Sequence, residues 1–422
     1  MSEASHHRIV IIGGGDAGIA LAARLRRAGV GDIAIIEPSE RHFYQPLWTL
    51  VGAGVVKPEV SVGRQADYIP SGVTWIRQRA SEIDPESRGV TLASGDRVGY
   101  DFLAIAAGLQ VNFDGIPGMR EALERPEVST NYSYEMAPKT WAMIRNFSGG
   151  VALFHMPGTP IKCPGAPQKI MYMAADNLRR RGLLSKTRVI YGSATPAIYS
   201  VKEFAAVLNQ VVERYGIDTR FGHDLVEIRP QSREAIFAKK SAGERVTIQY
   251  DMLHVAPPQS APDFIRQSPL VAQDNPGLGW VDVDQYTMVH RRYPNVFALG
   301  DVAGTPNAKT GAAAMKQAPV VAANLQSAMR GAELTARYNG YVACPIVTGY
   351  GRMLLCEFDY TLKPTPTITA IDTIRERYDM WLLKRYGLPW IYWNLILRGR
   401  NVPFHAARGF DGAGSAYRPV LE

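Results

Sequence analysis

The stretch Gly13-Gly14-Gly15-Asp16-Ala17-Gly18 leaves the start of this chain few ways to fold. It matches G-x-G-x-x-G and follows Arg8-Ile9-Val10-Ile11-Ile12, a β-branched run that reads as a buried parallel strand. Behind it, Ile19 to Arg27 has helical periodicity, and Gly29 ends the helix. Ile33-Ala34-Ile35-Ile36 is then a second strand, closed by Glu37 about 20 residues past the last glycine. Gly13 permits the tight turn, Gly15 lets backbone approach a pyrophosphate, and Gly18 lets helix and strand pack closely; Gly14 lies between them. The helix N-terminus faces the phosphates and the Glu37 carboxylate takes the ribose hydroxyls. A glycine triplet alone says little. In register with strand, helix, strand and acid it specifies a dinucleotide-binding α/β unit, and the acid selects an unphosphorylated ribose, FAD or NAD.

A chain of 422 residues holds more than one such unit. Three cysteines exclude a secreted disulfide scaffold, and a single disulfide here is expected to be catalytic rather than structural. The net charge of +8 and pI of about 9.3 favour an anionic partner. No nucleic-acid reading motif is visible, so an anionic membrane surface is expected and nucleic acid is not. Met1 to Arg8 is polar and runs into the first strand, so no signal or transit peptide is expected. No run of about 18 apolar residues could span a bilayer.

Further along, His42-Phe43-Tyr44-Gln45-Pro46-Leu47 reads as a loop that wraps the cofactor. Val73–Ile76 and Val90–Leu92 read as short antiparallel strands, and Tyr100 to Gly108 as a buried strand ending in small residues where backbone can lie against a ligand. Residues 111–148 read as connection. A second α/β unit begins at Val151, with helices expected over about 166–182 and 202–215. Its strands run into Met156-Pro157-Gly158-Thr159-Pro160 and Gly192-Ser193-Ala194-Thr195-Pro196 instead of a second glycine fingerprint. Prolines supply few N–H groups for a pyrophosphate, so no second dinucleotide is expected and the reductant is not NADH. Strand-like runs follow at 225–228, 234–237 and 245–248. Asn295 to Asp301 is a strand capped by Gly-Asp, placing Asp301 for the ribityl hydroxyls of a flavin. Lys309 opens a helix whose N-terminus would face the flavin pyrimidine and stabilise negative charge there.

The C-terminal region differs in character. Arg375 to Tyr386 reads as an amphipathic helix broken at Gly387 and Pro389, followed by Trp390-Ile391-Tyr392-Trp393 between basic borders. Aromatics flanked by Lys and Arg suit a segment lying among lipid headgroups, with a buried dimer interface as the alternative. The glycine-rich tail after Pro403 is expected to be poorly ordered.

Two cysteines precede prolines: Lys162-Cys163-Pro164 and Ala343-Cys344-Pro345. Cys163 has a cation before it and a helix start behind it, and both favour thiolate over thiol. The alternative is a pair of buried structural cysteines. His155 and His254 are expected to be core histidines rather than proton relays.

The FAD fingerprint, the absent second fingerprint, Lys162-Cys163-Pro164-Gly165-Ala166-Pro167-Gln168-Lys169, Cys344-Pro345-Ile346-Val347-Thr348-Gly349-Tyr350 and the basic-aromatic C-terminus together resemble sulfide:quinone oxidoreductases. The likeness is greatest to the branch that includes the mitochondrial enzyme, through Met252-Leu253-His254-Val255 and His290 to Phe297. It implies an α/β fold with two Rossmann-like units: an FAD-binding unit in two parts (1–112 and 256–335), a degenerate second unit (113–255) and a C-terminal quinone- and membrane-interacting region (336–422). It implies catalysis by Cys163 and Cys344 as a disulfide, or a sulfur-bridged version of it, beside the flavin. Sulfide attacks Cys344 and leaves a persulfide there, the freed sulfur of Cys163 passes electrons to the flavin, and a quinone on the opposite face reoxidises it. Lys162 would lower the pKa of Cys163. Gly13, Gly14, Gly15, Gly18, Glu37, Gln45, Ala80, Gly108, Asp301 and Lys309 are assigned to the cofactor, and Tyr350, Phe358, Trp390 and Trp393 to the quinone; no metal is expected. With no cysteine between the fingerprint and Cys163, FAD is expected to be non-covalent. Cys356 reads as a buried spectator, so one sulfur would pass to a small acceptor (thiol, sulfite or cyanide). Ubiquinone is the expected quinone type and a homo-oligomer is possible in principle. The expected location is the periphery of a bacterial inner (cytoplasmic) membrane. An NADH:quinone oxidoreductase, a flavocytochrome-type sulfide dehydrogenase and a flavin-binding membrane adaptor are the rival readings.

Overall fold

The β-branched run before the glycine turn occupies the middle of a seven-stranded sheet. In the computed structural model, which describes residues 5–239, 243–273 and 276–402, strand Ser5–Ile12 pairs in parallel with Ile33–Ile36 on one side and Arg97–Ile105 on the other. Ile9 to Ile12 are at most 3% exposed, which is why the run carries no polar alternation. Val73–Ile76 joins the sheet in parallel beside Ile33–Ile36, and Val296–Ala298 in parallel beside Arg97–Ile105. Residues about 200 positions apart thus belong to one sheet. The expected antiparallel role of Val73–Ile76 is corrected by this pairing; within this sheet the antiparallel strands are Ala80–Asp84, Gly89–Leu92 and the start of Arg97–Ile105.

A second parallel sheet has the order Val128–Ser129, Met252–His254, Gly150–Met156, Thr187–Ser193, Asp218–Phe221. Helix Ala166–Arg180 follows the cysteine loop and helix Lys202–Tyr215 follows the second long strand, close to the expected bounds. A three-stranded antiparallel sheet, His223–Arg229, Glu234–Lys239 and Arg245–Gln249, covers part of this unit. Residues 111–148 are not mere connection: they include helix Met136–Asn146 and the edge strand Val128–Ser129. Pro138 obscures that helix in the sequence, yet it sits in the first turn, where no intrahelical N–H is needed.

Helix Gly311–Met329 packs on helix Asp16–Arg27, and the hairpin Val342–Gly349 / Arg352–Phe358 packs on helix Ala166–Arg180. The hairpin is therefore the element that ties the C-terminal third to the cysteine loop. After it, Tyr378–Ile396 is helical throughout and is not broken at Gly387 and Pro389. Two π-helical stretches, Leu383–Gly387 and Tyr392–Ile396, flank Leu388–Ile391. The re-registered hydrogen bonds accommodate Pro389, which lacks an N–H. Among the described residues no helix is long and apolar enough to cross a membrane. The tail after Pro403 lies outside the described residues.

Gly13 and Gly18 show why the fingerprint needs glycine. Gly13 has φ +104°, and a Cβ there would lie 2.3 Å from the Ala106 carbonyl oxygen. A Cβ on Gly18 would lie 1.9 Å from the Gly13 carbonyl oxygen, and backbone cannot yield as a side chain would. Gly18→Ala is expected to destabilise the chain by about 1–3 kcal/mol through overpacking, seen as a lower denaturant midpoint at unchanged slope.

Candidate active site

Cys163 sits in the turn that opens helix Ala166–Arg180, with a left-handed φ of +49°. For a residue with a side chain this costs about 1–2 kcal/mol, and three hydrogen bonds hold it. The Cys163 N–H donates to the Lys309 carbonyl at 2.7 Å, its own carbonyl accepts from Ala166 N–H at 2.7 Å, and Tyr132 Oη donates to that carbonyl at 3.3 Å. The first of these belongs to a parallel bridge between Lys162 and Lys309. The loop before the cysteine helix is thereby stitched to the loop that precedes helix Gly311–Met329.

Cys344, 3% exposed, comes from the hairpin and points into the same turn. A Cβ on Gly165 would lie 2.6 Å from its sulfur, so glycine follows Pro164 because the second sulfur occupies that space. The two thiols are within hydrogen-bonding contact of each other and of Lys169. Lys169 Nζ donates to Cys163 Sγ at 3.1 Å although the lysine is only 2% exposed. Helical side chains point back toward the N-terminus, so a lysine in the second turn reaches a thiol just ahead of the first. The hydrogen bond from Cys344, then Lys169, then the more distant Lys384 hold the Cys163 pKa well below the usual thiol range against the opposing effect of burial. The Cys344 thiol is pushed up, by its hydrogen bond to Cys163 and by burial. Negative charge is thus favoured on Cys163, the sulfur that Lys169 Nζ faces at 3.1 Å. In turn the thiolate raises Lys169 above an ordinary lysine.

Lys162, the cation expected to lower Cys163, is used elsewhere. Its Nζ donates to Gln45 Oε1 at 2.6 Å and lies 5.2 Å from the Trp48 ring centroid; burial lowers its pKa to about 8. Lys384 was missed in the sequence because it reads as a basic border of the C-terminal segment. It is 2% exposed, donates to the Pro46 carbonyl at 2.9 Å, and burial followed by the nearby Lys169 charge lowers it to about 7.

Cys344 also lines a cavity of about 390 Å³ with Gln168, Tyr191, Tyr199, Val342 and Phe358. Met156, Thr195 and Pro196, at the carboxyl ends of two strands of the second sheet, complete one wall. That is where an open parallel sheet offers a binding crevice.

The residues assigned to FAD fit such a group. Gly15 and Gly108, at the carboxyl ends of the central strands, face open space: a Cβ on either would meet nothing within 4 Å. Glu37 Oε2 accepts from Gly14 N–H at 2.8 Å and its Oε1 from Ser39 N–H at 2.7 Å, which orients the carboxylate beside the loop. Asp16 Oδ1 is buried without a partner, an orphaned polar atom at the start of the fingerprint helix; burial, then the charge of Asp301, raises this carboxyl to about 7. The Asp301 carboxyl is raised by burial and steadied by Lys309 and Lys162. Lys309 Nζ donates to the Asp301 carbonyl at 2.6 Å and sits 3.7 Å from the Trp280 ring centroid, with a pKa lowered to about 8 by burial. Gln45, Asp301 and Lys309 are therefore gathered around Lys162 and Cys163. Ala80 opens the strand Ala80–Asp84 opposite Leu92.

The four quinone candidates fall in different places. Phe358 lines the Cys344 cavity. Tyr350 Oη donates to the Ala53 carbonyl at 2.7 Å beneath the Arg180 guanidinium. Trp393 packs in an aromatic cluster with Tyr68 (4.9 Å between centroids), His42 and Tyr44, while Trp390 is 59% exposed. His42 links this cluster to the glycine loop: Tyr392 Oη lies 2.6 Å from its Nε2, and Gln65 bridges its Nδ1 to the Gly14 carbonyl. Burial lowers His42 to about 4, so it is neutral. His155 and His254 are fully buried in the second sheet, and neither lines the cysteine cavity.

Replacing Lys169 by methionine removes the cation in contact with Cys163. Its alkylation by iodoacetamide in the oxidant-free protein, fast through the neutral range in the parent, should then acquire a pH midpoint about one unit or more higher, the scale of a lost close ion pair. Mass mapping of the modified peptide against pH checks this.

Residues 7–144 match the model of the pyridine nucleotide-disulphide oxidoreductase family. The chain is 42% identical over 397 residues to the mitochondrial sulfide:quinone oxidoreductase of Mus musculus, covering 94% of this chain and 87% of that protein. It is 39% identical to the mitochondrial sulfide:quinone oxidoreductase of Dictyostelium discoideum, covering 93% and 86%. The fold is shared with the crystal structure of the Aquifex aeolicus sulfide:quinone oxidoreductase, at a TM-score of 0.77 and 21% identity over 94% of this chain and 92% of that one. The mitochondrial relatives overturn the expected bacterial inner-membrane location. That expectation rested on a missing leader, and an absence carries no positive information about a compartment. Identity at this level over nearly the full length of both partners, with the cysteine turn and the hairpin cysteine converging as described, decides the assignment: the chain belongs to the sulfide:quinone oxidoreductases.

Proposed function

We propose that this enzyme oxidises sulfide at the Cys163–Cys344 pair and delivers the electrons to a quinone. The observation that supports it best is the meeting of the two sulfurs over Gly165 under the Lys169 ammonium. In the oxidised form the two sulfurs are bonded. Hydrosulfide reaches Cys344 from the cavity that this residue lines and attacks its sulfur. A new S–S bond forms on Cys344 and the bond to Cys163 breaks. Cys163 is the better leaving group because Lys169 and Lys384 hold its negative charge, and exchange is faster when the leaving thiol has the lower pKa. The sulfane sulfur on Cys344 is then open to a small thiol, sulfite or cyanide entering the same cavity.

FAD held by Gly13 to Gly18, Glu37, Gly108 and Asp301 supplies the two-electron acceptor between sulfur and quinone. All three cysteines of the chain are gathered on the sulfur side, so no other cysteine can tether the cofactor and it binds non-covalently. Lys309, with its Nζ over Trp280 and its backbone bridged to the cysteine loop, would steady negative charge on a flavin held beside that loop. The quinone, of ubiquinone type, is approached from the Trp393 cluster, which reaches the glycine loop through His42 and Gln65. The NADH:quinone alternative is disfavoured by the family and by Pro157, Pro160 and Pro196 at the strand ends where a second pyrophosphate would bind. The division at residues 112, 255 and 335 follows the same reading.

The C-terminal helix meets an anionic leaflet. Tyr378, Tyr386 and Trp390 are 59% or more exposed beside Arg385, while the opposite face is clamped by Lys384 to Pro46 and by Arg398 to the Asp67 carbonyl. Trp390→Ala should weaken binding to vesicles of phosphatidylcholine with phosphatidylserine about tenfold, the worth of roughly half-burying a large aromatic side chain. Cosedimentation measures it.

Anaerobic titration of the holoenzyme with sulfide is expected to abolish the oxidised flavin spectrum, and a quinone analogue to restore it, with NADH inert. Cys163→Ser and Cys344→Ser should each reduce sulfide-dependent quinone reduction to background. Normal turnover in either variant, or bleaching by NADH alone, would sink the reading.

A further inference from the structure

The third cysteine is not remote from the other two. Cys356 lies directly opposite Cys344 in the hairpin register, with Val342 opposite Phe358 one step further along the same face. Val342, Cys344 and Phe358 all line the cavity, so the face that carries Cys356 is the cavity face, with Cys356 fully buried beneath it. Tyr199, another lining residue, hydrogen-bonds the Cys356 thiol and sets its ring edge-on to Phe358 at 6.1 Å. The Lys169 charge is felt at all three thiols. Opposed residues in an antiparallel pair keep their Cβ atoms about 4.5–5.5 Å apart. That exceeds the roughly 3.8 Å of a disulfide, and one inserted sulfur closes the difference.

We propose that Cys356 is a sulfur-storage site, which accepts the sulfane sulfur from the Cys344 persulfide and lets the chain hold one sulfur beyond that on the Cys163–Cys344 pair. The proposal rests on the sulfide reading above. The step is redox-neutral: the Cys356 sulfur bonds to the outer sulfur of the persulfide, the bond from that sulfur to Cys344 breaks, and the Cys356 proton ends on Cys344. The hydrogen bond to Cys163 and burial push Cys344 up, and burial pushes Cys356 up, so neither is much the better leaving group and the sulfur partitions between them instead of being trapped. With Cys344 emptied, the Cys163–Cys344 disulfide re-forms, its two electrons going to quinone, and a second sulfide is oxidised before any external acceptor arrives. The rule that two working cysteines limit the chain to one sulfur then no longer applies.

The test treats holoenzyme with excess sulfide and a quinone analogue without acceptor, removes small molecules, and measures sulfane sulfur by cyanolysis. Wild-type protein should retain about twofold more than Cys356→Ala, the ratio of two exchanging sites to one. Digestion of alkylated wild-type protein should place a persulfide on the Cys356 peptide, a readout that needs no variant. Flavin content checks that Cys356→Ala is folded. Equal retention, or a wild-type digest with sulfur on Cys344 alone, overturns the storage site while sulfide still bleaches the flavin. A flavin that sulfide does not bleach overturns the function itself.

Discussion

A buried ammonium against a half-buried thiolate is the contact on which the rest of this structure turns. Lys169 is enclosed and Cys163 half-buried, and an isolated charge at either position would be costly to take out of water. Each tolerates burial because the other is there. The pair also polarises the chemistry: the electrons of any bond to Cys163 are drawn toward the sulfur that the lysine faces, so bond breaking has a built-in direction. Cys344, whose thiol is pushed up by its hydrogen bond to Cys163 and by burial, stays the sulfur to be attacked.

This contact explains why three distant parts of the chain are packed around one turn. The helix brings Lys169, the hairpin brings Cys344, and the loop before helix Gly311–Met329 fixes the Cys163 backbone through Lys309. Left-handed backbone at Cys163 is tolerable because all three converge there. The glycine at 165 is less a flexible joint than a vacancy shaped for a neighbour's sulfur.

The first unit was legible in the sequence because its constraints are local: strand, glycine turn, helix and acid follow in order, and Gly13 and Gly18 each answer to a named backbone atom. The two Cys-Pro pairs, one in a turn and one in a strand, were legible for the same reason. Lys169 was on the page as part of a motif, but its role depends on the direction of a helical side chain, whereas adjacent Lys162 looked nearer and points to Gln45 and Trp48. The role of Lys384 depends on a contact with Pro46, which no local pattern encodes. Likewise Cys356 reads as an ordinary strand residue until the hairpin register sets it against Cys344. The helix Met136–Asn146 and the unbroken Tyr378–Ile396 were hidden by prolines, each in a place where the missing N–H does no harm.

The clamp between Lys384 and Pro46 has one more consequence. One of the two cations nearest the cysteines is delivered by a helix close to the end of the chain, on the same segment that shows its aromatic rings to solvent. A molecule clipped before residue 384 would keep its glycine loop and all three thiols, yet its sulfurs would lie in a weaker field. Proteolytic trimming of this protein would therefore dull the reactivity of its sulfurs.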